Sequence, residues 1–159
     1  MVSPDGMLRV AEFPRPPAIE RERRRVTITL GGVLIADAAE AWRVLETTHP
    51  PTYYLPAGAF VPGSVVPGRR RSVCEWKGVA TYVTLRAGDR REVDAGWTYP
   101  DPRPPYDALR DHVAVYAGRM DACTVGEHRV TPQPGGFYGG WVTPDLIGPF
   151  KGAPGTEWW

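Results

Sequence analysis

The sequence predicts an all-β protein with almost no helix, on three observations. Apolar and polar residues alternate with period two through several runs rich in Val, Ile, Thr, Tyr and Trp. Turn-forming residues punctuate those runs, for the 159 residues include 18 glycines and 18 prolines. Only one short segment, Tyr106 to Asp111, reads as a helix. About seven or eight short strands are expected.

Met1 to about Ile19 carries four prolines and no periodicity, which suits an extended arm whose ordering needs a partner surface. Val26-Thr27-Ile28-Thr29-Leu30 and Val33-Leu34-Ile35-Ala36-Asp37 flank Gly31-Gly32, a diglycine hairpin signal. From Trp42 to Thr47, alternation puts Trp42, Val44 and Glu46 on one face and Arg43, Leu45 and Thr47 on the other. His49 to Pro56 is held extended by its prolines, which remove donors from a central ladder, so an ordered edge or loop is expected there.

Ser72 to Leu85 reads as one strand, with Cys74, Trp76, Ala80, Tyr82 and Thr84 on one face and Val79, Val83 and Leu85 on the other. A bulge at Lys77-Gly78 would invert half of that assignment. Arg91 to Tyr99 alternates so that Val93, Ala95, Trp97 and Tyr99 fall together. His112 to Tyr116 and Ala122 to Val125 are two further strands. Pro132 to Trp159 then packs seven glycines, five prolines and six large rings into 28 residues. Each buried ring removes roughly 150–250 Å² from water, so this tail is expected along the sheet or across a partner subunit, a disordered tail being the alternative. The division is an arm (1–23), a β domain (24–131) and the extension (132–159).

Nineteen basic against 18 acidic residues leave a formal charge of +1, and the clusters Arg21 to Arg25 and Arg69 to Arg71 are local, so nucleic-acid binding is not expected. No apolar run approaches the roughly 18 residues of a membrane span, nor does a leader pattern open the chain, so neither membrane nor secretion is expected. Cys74 and Cys123 belong to no Cys-x-x-Cys pair, which excludes four-thiolate zinc and suits a reduced, cytoplasmic setting.

Other chemistries fail on motif. None of the three serines sits in a Gly-x-Ser-x-Gly elbow, and no phosphate-cradling glycine loop occurs. The three histidines, His49, His112 and His128, are too far apart for a helix-borne metal pair. His49, beside two prolines, is the one worth mutating.

The candidate site is Glu46, Tyr53, Tyr54, Cys74, Trp76, Lys77, Tyr82, Trp97 and Tyr99. Turned toward a common hollow, these residues make an aromatic box with a carboxylate, an ammonium and a thiol, the composition of a small-molecule site. The same residues also suit a tryptophan-rich core whose polar tips find backbone partners. A lysine near Cys74 favours thiolate and hence nucleophilic chemistry, although no histidine lies near in sequence and a free cysteine also serves as inert packing. Lys77 and Glu46 can pair, structurally or around a ligand.

Five ordered segments carry a resemblance: Gly31 to Asp37, Leu45-Glu46, Pro51 to Pro56, Cys74 to Tyr82 and Ala95 to Pro100. Together they resemble the domain of unknown function 427 family over about residues 24–126, and Gly135 to Gly152 looks like the C-terminal extension of one of its subgroups. That resemblance implies a β-tent-like domain, two antiparallel sheets set at an angle with a cavity between them, lined at the nine candidate positions. β-Tent relatives often hold zinc through cysteine pairs that this chain lacks, so no metal or other cofactor is carried over.

The family has also been labelled a nucleotidyltransferase, but the Gly-Ser turn and paired acidic residues of that chemistry do not occur around Asp37, Asp94 or Asp101. The expectation is an unidentified small organic ligand held by Tyr54, Trp76, Trp97 and Tyr99, with Glu46 and Lys77 setting polarity and Cys74 near the floor. An enzyme using the same cavity, by thiol chemistry or nucleotidyl transfer, is a second reading. A third is an assembly protein, such as a homodimer joined through the tail.

Overall fold

In the computed structural model, which describes residues 6–156 and 159, the alternating runs become strands of four sheets. The chain passes through β1 (Leu8–Arg9), β2 (Ala18–Glu22), β3 (Val26–Leu30), β4 (Val33–Ala38) and β5 (Ala41–Leu45). Next come β6 (Thr52–Pro56), β7 (Val65–Cys74), β8 (Gly78–Ala87), β9 (Arg90–Thr98) and β10 (His112–Val115). The remainder holds β11 (Ala122–Val125), β12 (His128–Arg129), β13 (Thr131–Pro132), β14 (Trp141–Val142) and β15 (Leu146–Ile147). Among the described residues these fifteen strands exceed the expected number because five have only two residues and no periodicity to detect, β2 falls in the arm, and the run from Ser72 to Leu85 is divided.

The large sheet has seven strands ordered β2-β5-β6-β10-β9-β8-β7, and the small sheet has four, β12-β11-β3-β4; every neighbouring pair in both is antiparallel. Neither closes into a barrel. The fold is all-β, as the alternation predicts, and helical turns are confined to short 3-10 segments among the described residues. The expected helix at Tyr106 is one of these, Asp107–Leu109. Gly31 and Gly32 join β3 to β4 with φ of 59° and 75°, the paired left-handed conformation that a two-residue hairpin turn demands.

Strand alternation gives the large sheet two apolar faces. Tyr53, Leu55, Val83, Leu85, Val113 and Val115 meet Val26, Ile28, Leu30 and Ile35 of the small sheet, so the space between the sheets is a filled core. The other face carries a second cluster built on Val44, Tyr54, Ala80, Trp97, Tyr99 and Ala114. The hollow therefore lies over the outer face of the large sheet, away from the packed inter-sheet core.

Several local expectations change. Ser72 to Leu85 is two strands, because the chain reverses at Glu75-Trp76-Lys77 and Cys74 pairs with Gly78. Cys74, Ala80 and Tyr82 still share a face, since a hairpin restores the parity that a continuous strand would give. Thr52–Pro56 is no edge or loop but lies between β5 and β10; Pro50 and Pro51 precede the paired residues and Pro56 ends them, so no ladder donor is lost in the middle. In β9 a register shift and the positive φ of Asp94 (52°) break the alternation. Ala95 joins the inter-sheet core while Trp97 and Tyr99 belong to the outer face, and Val93 is exposed.

The arm is packed on its own chain. Leu8 and Arg9 pair in parallel with Leu146 and Ile147, Leu8, Val10 and Phe13 bury against Leu45 and Leu146, and Ala18–Glu22 is the edge strand beside β5. The partner surface that the arm needs is thus supplied by the tail and β5. Trp141 anchors the tail: it is fully buried, stacks on Tyr53 at 5.1 Å between centroids, and donates from Nε1 to the Val115 carbonyl at 3.1 Å. Among the described residues no helix is long and apolar enough to cross a membrane.

Candidate functional site

The outer face presents its rings as a row across the strands. Trp42 stands opposite Tyr54, and Trp97 stands between Ala114 and Tyr82. The small Ala114 lets Trp97 lean toward Tyr54, whose ring it meets edge-on at 6.3 Å, and Trp97 Nε1 donates to the Tyr54 hydroxyl at 3.2 Å. Tyr116 packs on the other side of Trp97 at 4.8 Å. Tyr54 and Tyr99 lie 6.2 Å apart, and Tyr82 is held by a hydrogen bond from Ser72 and by the Arg70 guanidinium 4.6 Å above its ring.

A polar chain continues from this row into the β7–β8 turn. The Tyr54 and Tyr99 phenols, the Cys74 thiol and the Lys77 ammonium act on one another electrostatically from the row toward that turn. Lys77 is only 8% exposed, and its ammonium also lies 5.8 Å above the Tyr99 ring. Burial opposes that charge, but Tyr54, Cys74 and Glu46 outweigh it and hold the Lys77 pKa above its ordinary value. Burial pushes the Tyr54 and Tyr99 phenols up, so both stay protonated near neutrality.

The opposite wall comes from the β5–β6 loop and the tail. Gln133 clasps the two: its Oε1 accepts from the Gly140 N–H at 3.0 Å, while its Nε2 donates to the Lys151 carbonyl at 2.9 Å and to His49 Nδ1 at 3.1 Å. These bonds fix the amide orientation, so Nδ1 of His49 is the accepting nitrogen and its Nε2 faces Glu46 Oε2 at 3.8 Å. Burial, reinforced by Lys151 and Arg15, lowers the His49 pKa against the pull of Glu46 and Gln133, leaving a neutral ring at pH 7. The tail crosses the aromatic face at Gly139, where a Cβ would fall 2.2 Å from Trp97 Cη2.

Between the walls lies a half-open cleft of about 800 Å³. Of the candidate residues, Glu46, Tyr54, Cys74, Lys77, Tyr82, Trp97 and Tyr99 line it. Tyr53 does not, because adjacent strand residues point to opposite faces; it is 1% exposed and belongs to the inter-sheet core with Trp141. Trp76 sits in the hairpin turn and packs against the cluster behind Cys74 without reaching the cleft wall.

His49, singled out in the sequence, is in the lining. The lining residues Arg70, Tyr116, Gln133, Tyr138 and Lys151 have no sequence signal beyond the aromatic, glycine-rich character of the tail. Among the described residues no three His, Cys, Asp or Glu side chains converge closely enough to hold a metal ion.

The site is thus an aromatic floor with one buried ammonium and one thiol at an end, and a neutral histidine beside a carboxylate across from them. No curated protein matches the chain. Residues 18–126, which form both large and small sheets up to β11, match the family model described as Domain of unknown function (DUF427), and the chain belongs to that family.

Proposed function

We propose that this chain binds a small organic ligand, flat or aromatic in part, in the cleft over the outer face of the large sheet. The observation that carries the reading is an open space of about 800 Å³ against Trp97, Tyr54 and Tyr82 with a buried, charged Lys77 at one end. Ligand pockets of roughly 300–1,000 Å³ combine an apolar floor with a few placed polar groups in just this proportion. Two unpaired cysteines fit a reducing, cytoplasmic setting.

A thermal-shift screen against a broad metabolite set tests it. A ligand at 100 times its Kd stabilises by about 2.7 kcal/mol, and Trp97→Ala should remove that shift while Tyr54→Phe, which keeps the ring, should retain most of it. Silence across the set, with no quenching of tryptophan fluorescence, would reject the reading.

A second reading, thiol chemistry, rests on the Cys74 thiol and the Lys77 ammonium that acts on it, both in the lining of the same cleft. Its test is clean because Cys123 is buried and its thiol is pushed up to about 12 by burial. Iodoacetamide at neutral pH should modify one thiol per chain, at Cys74. Unreactive Cys74 in folded protein would end this reading without touching the first.

A further inference from the structure

We infer that the Lys77 end of the cleft is a subsite for an oxyanion, a carboxylate or phosphate carried by the small ligand; the inference rests on the cleft being a binding site. Of 19 basic residues only two are lysine, Lys77 and Lys151, and both line this cleft. Lys77 is the more deeply set. A buried ammonium ordinarily lies against a carboxylate, because an isolated charge costs several kcal/mol to bury.

Among the described residues no carboxylate forms an ion pair with Lys77; its ammonium lies instead over the uncharged Tyr99 ring at 5.8 Å. Lysine has three donors, and a ring contact leaves donor capacity at the cleft that Lys77 lines.

The surrounding charges agree. Glu46, the carboxylate whose charge reaches Lys77, is already shared between Arg15 at 3.7 Å and His49 at 3.8 Å. The other acid of the lining, Asp94, stands beside Gly68, at the Tyr82 end. Arg70 and Lys151 add positive charge along the cleft. A compact ammonium suits one oxyanion oxygen rather than a bidentate fork, while the ring row provides a stacking surface for the remainder of the molecule.

Selective 13Cε-lysine labelling gives two resonances, assigned with Lys77→Met and Lys151→Met. Benzoate, phenylphosphate, inorganic phosphate and neutral benzyl alcohol are titrated at constant ionic strength. The inference expects the Lys77 signal to move saturably with benzoate or phenylphosphate at a concentration at least tenfold below any effect of benzyl alcohol. Stabilisation by those anions should vanish in Lys77→Met and persist in Lys77→Arg.

The tighter of the two aromatic anions identifies the group as carboxylate or phosphate. Inorganic phosphate binding alone would mark an adventitious ion only and overturn the inference. If benzyl alcohol binds as well as the anions, or the anions bind Lys77→Met unchanged, the oxyanion assignment falls while the cleft stands. If no probe moves the Lys77 signal, the assignment falls, and the metabolite screen decides the cleft separately.

Discussion

Replacing Trp141 with alanine removes a side chain that is fully buried within the inter-sheet core, stacked on Tyr53, and hydrogen-bonded to the Val115 carbonyl. Core Trp→Ala changes cost about 3–5 kcal/mol, and leaving the carbonyl without its donor adds to that. The net expectation is about 4 kcal/mol, which for a chain of this size lowers Tm by roughly 8–16 °C.

Trp141→Phe keeps most of the ring contact and loses only the N–H bond, so about 1–2 kcal/mol is expected. Urea unfolding followed by circular dichroism, with the midpoint and slope fitted separately, reads both values. A loss below 1 kcal/mol for Trp141→Ala would mean that the tail does not complete the core of its own chain, and the wall that it lends the cleft would go with it.

Gly139→Ala forces a Cβ to within 2.2 Å of Trp97 unless the tail lifts, so overpacking should cost about 1–3 kcal/mol and change the Trp97 fluorescence; an unshifted Tm and spectrum would show that the tail does not lie on that ring. The His49 pKa is lowered in the folded chain, chiefly by burial, with Lys151 and Arg15 reinforcing it against Glu46 and Gln133 and the Tyr138 ring packed edge-on at 4.8 Å. The unfolded state therefore binds the extra proton first: stability from this residue is present above about pH 6.5 and is lost as pH falls through the folded value.

Protonation also places an N–H at Nδ1 facing the Gln133 NH₂, so the clasp on Gly140 and Lys151 should loosen in acid. His49→Asn, which does not titrate, should flatten the stability profile between pH 5 and 7; an unchanged slope would refute that role.

Strands β3, β4, β5, β9, β10 and β11 could be read from alternation because their side chains divide between two environments that differ in polarity, whereas β2 was read as part of an extended arm, β6 as an edge or loop, and β7 and β8 as one run. The β3–β4 hairpin was legible for a further reason: few residues but glycine tolerate the two positive φ values at Gly31 and Gly32. Face assignments were less secure, since one register irregularity is enough to invert them. Asp94 did this in β9, separating Ala95 from Trp97, whereas the reversal after Cys74 happened to preserve parity.

Tyr53 and Tyr54 could not both face one hollow in an extended strand, a constraint already present in their adjacency. The far wall was not legible. Gln133, Tyr138 and Lys151 reach the cleft through long-range packing of a tail with little periodicity, and two-residue strands such as β14 give no pattern to count.

The central claim is that a ligand-sized space persists above Trp97, beneath the tail, with Lys77 at its end. The most direct measurement is a crystal structure of the protein soaked with phenylphosphate. The account predicts density for the ring against Trp97 or Tyr82 and an oxyanion oxygen about 2.7–3.2 Å from Lys77 Nζ. A cleft filled by the protein's own tail side chains, with Lys77 paired to a carboxylate of the same chain, would contradict it.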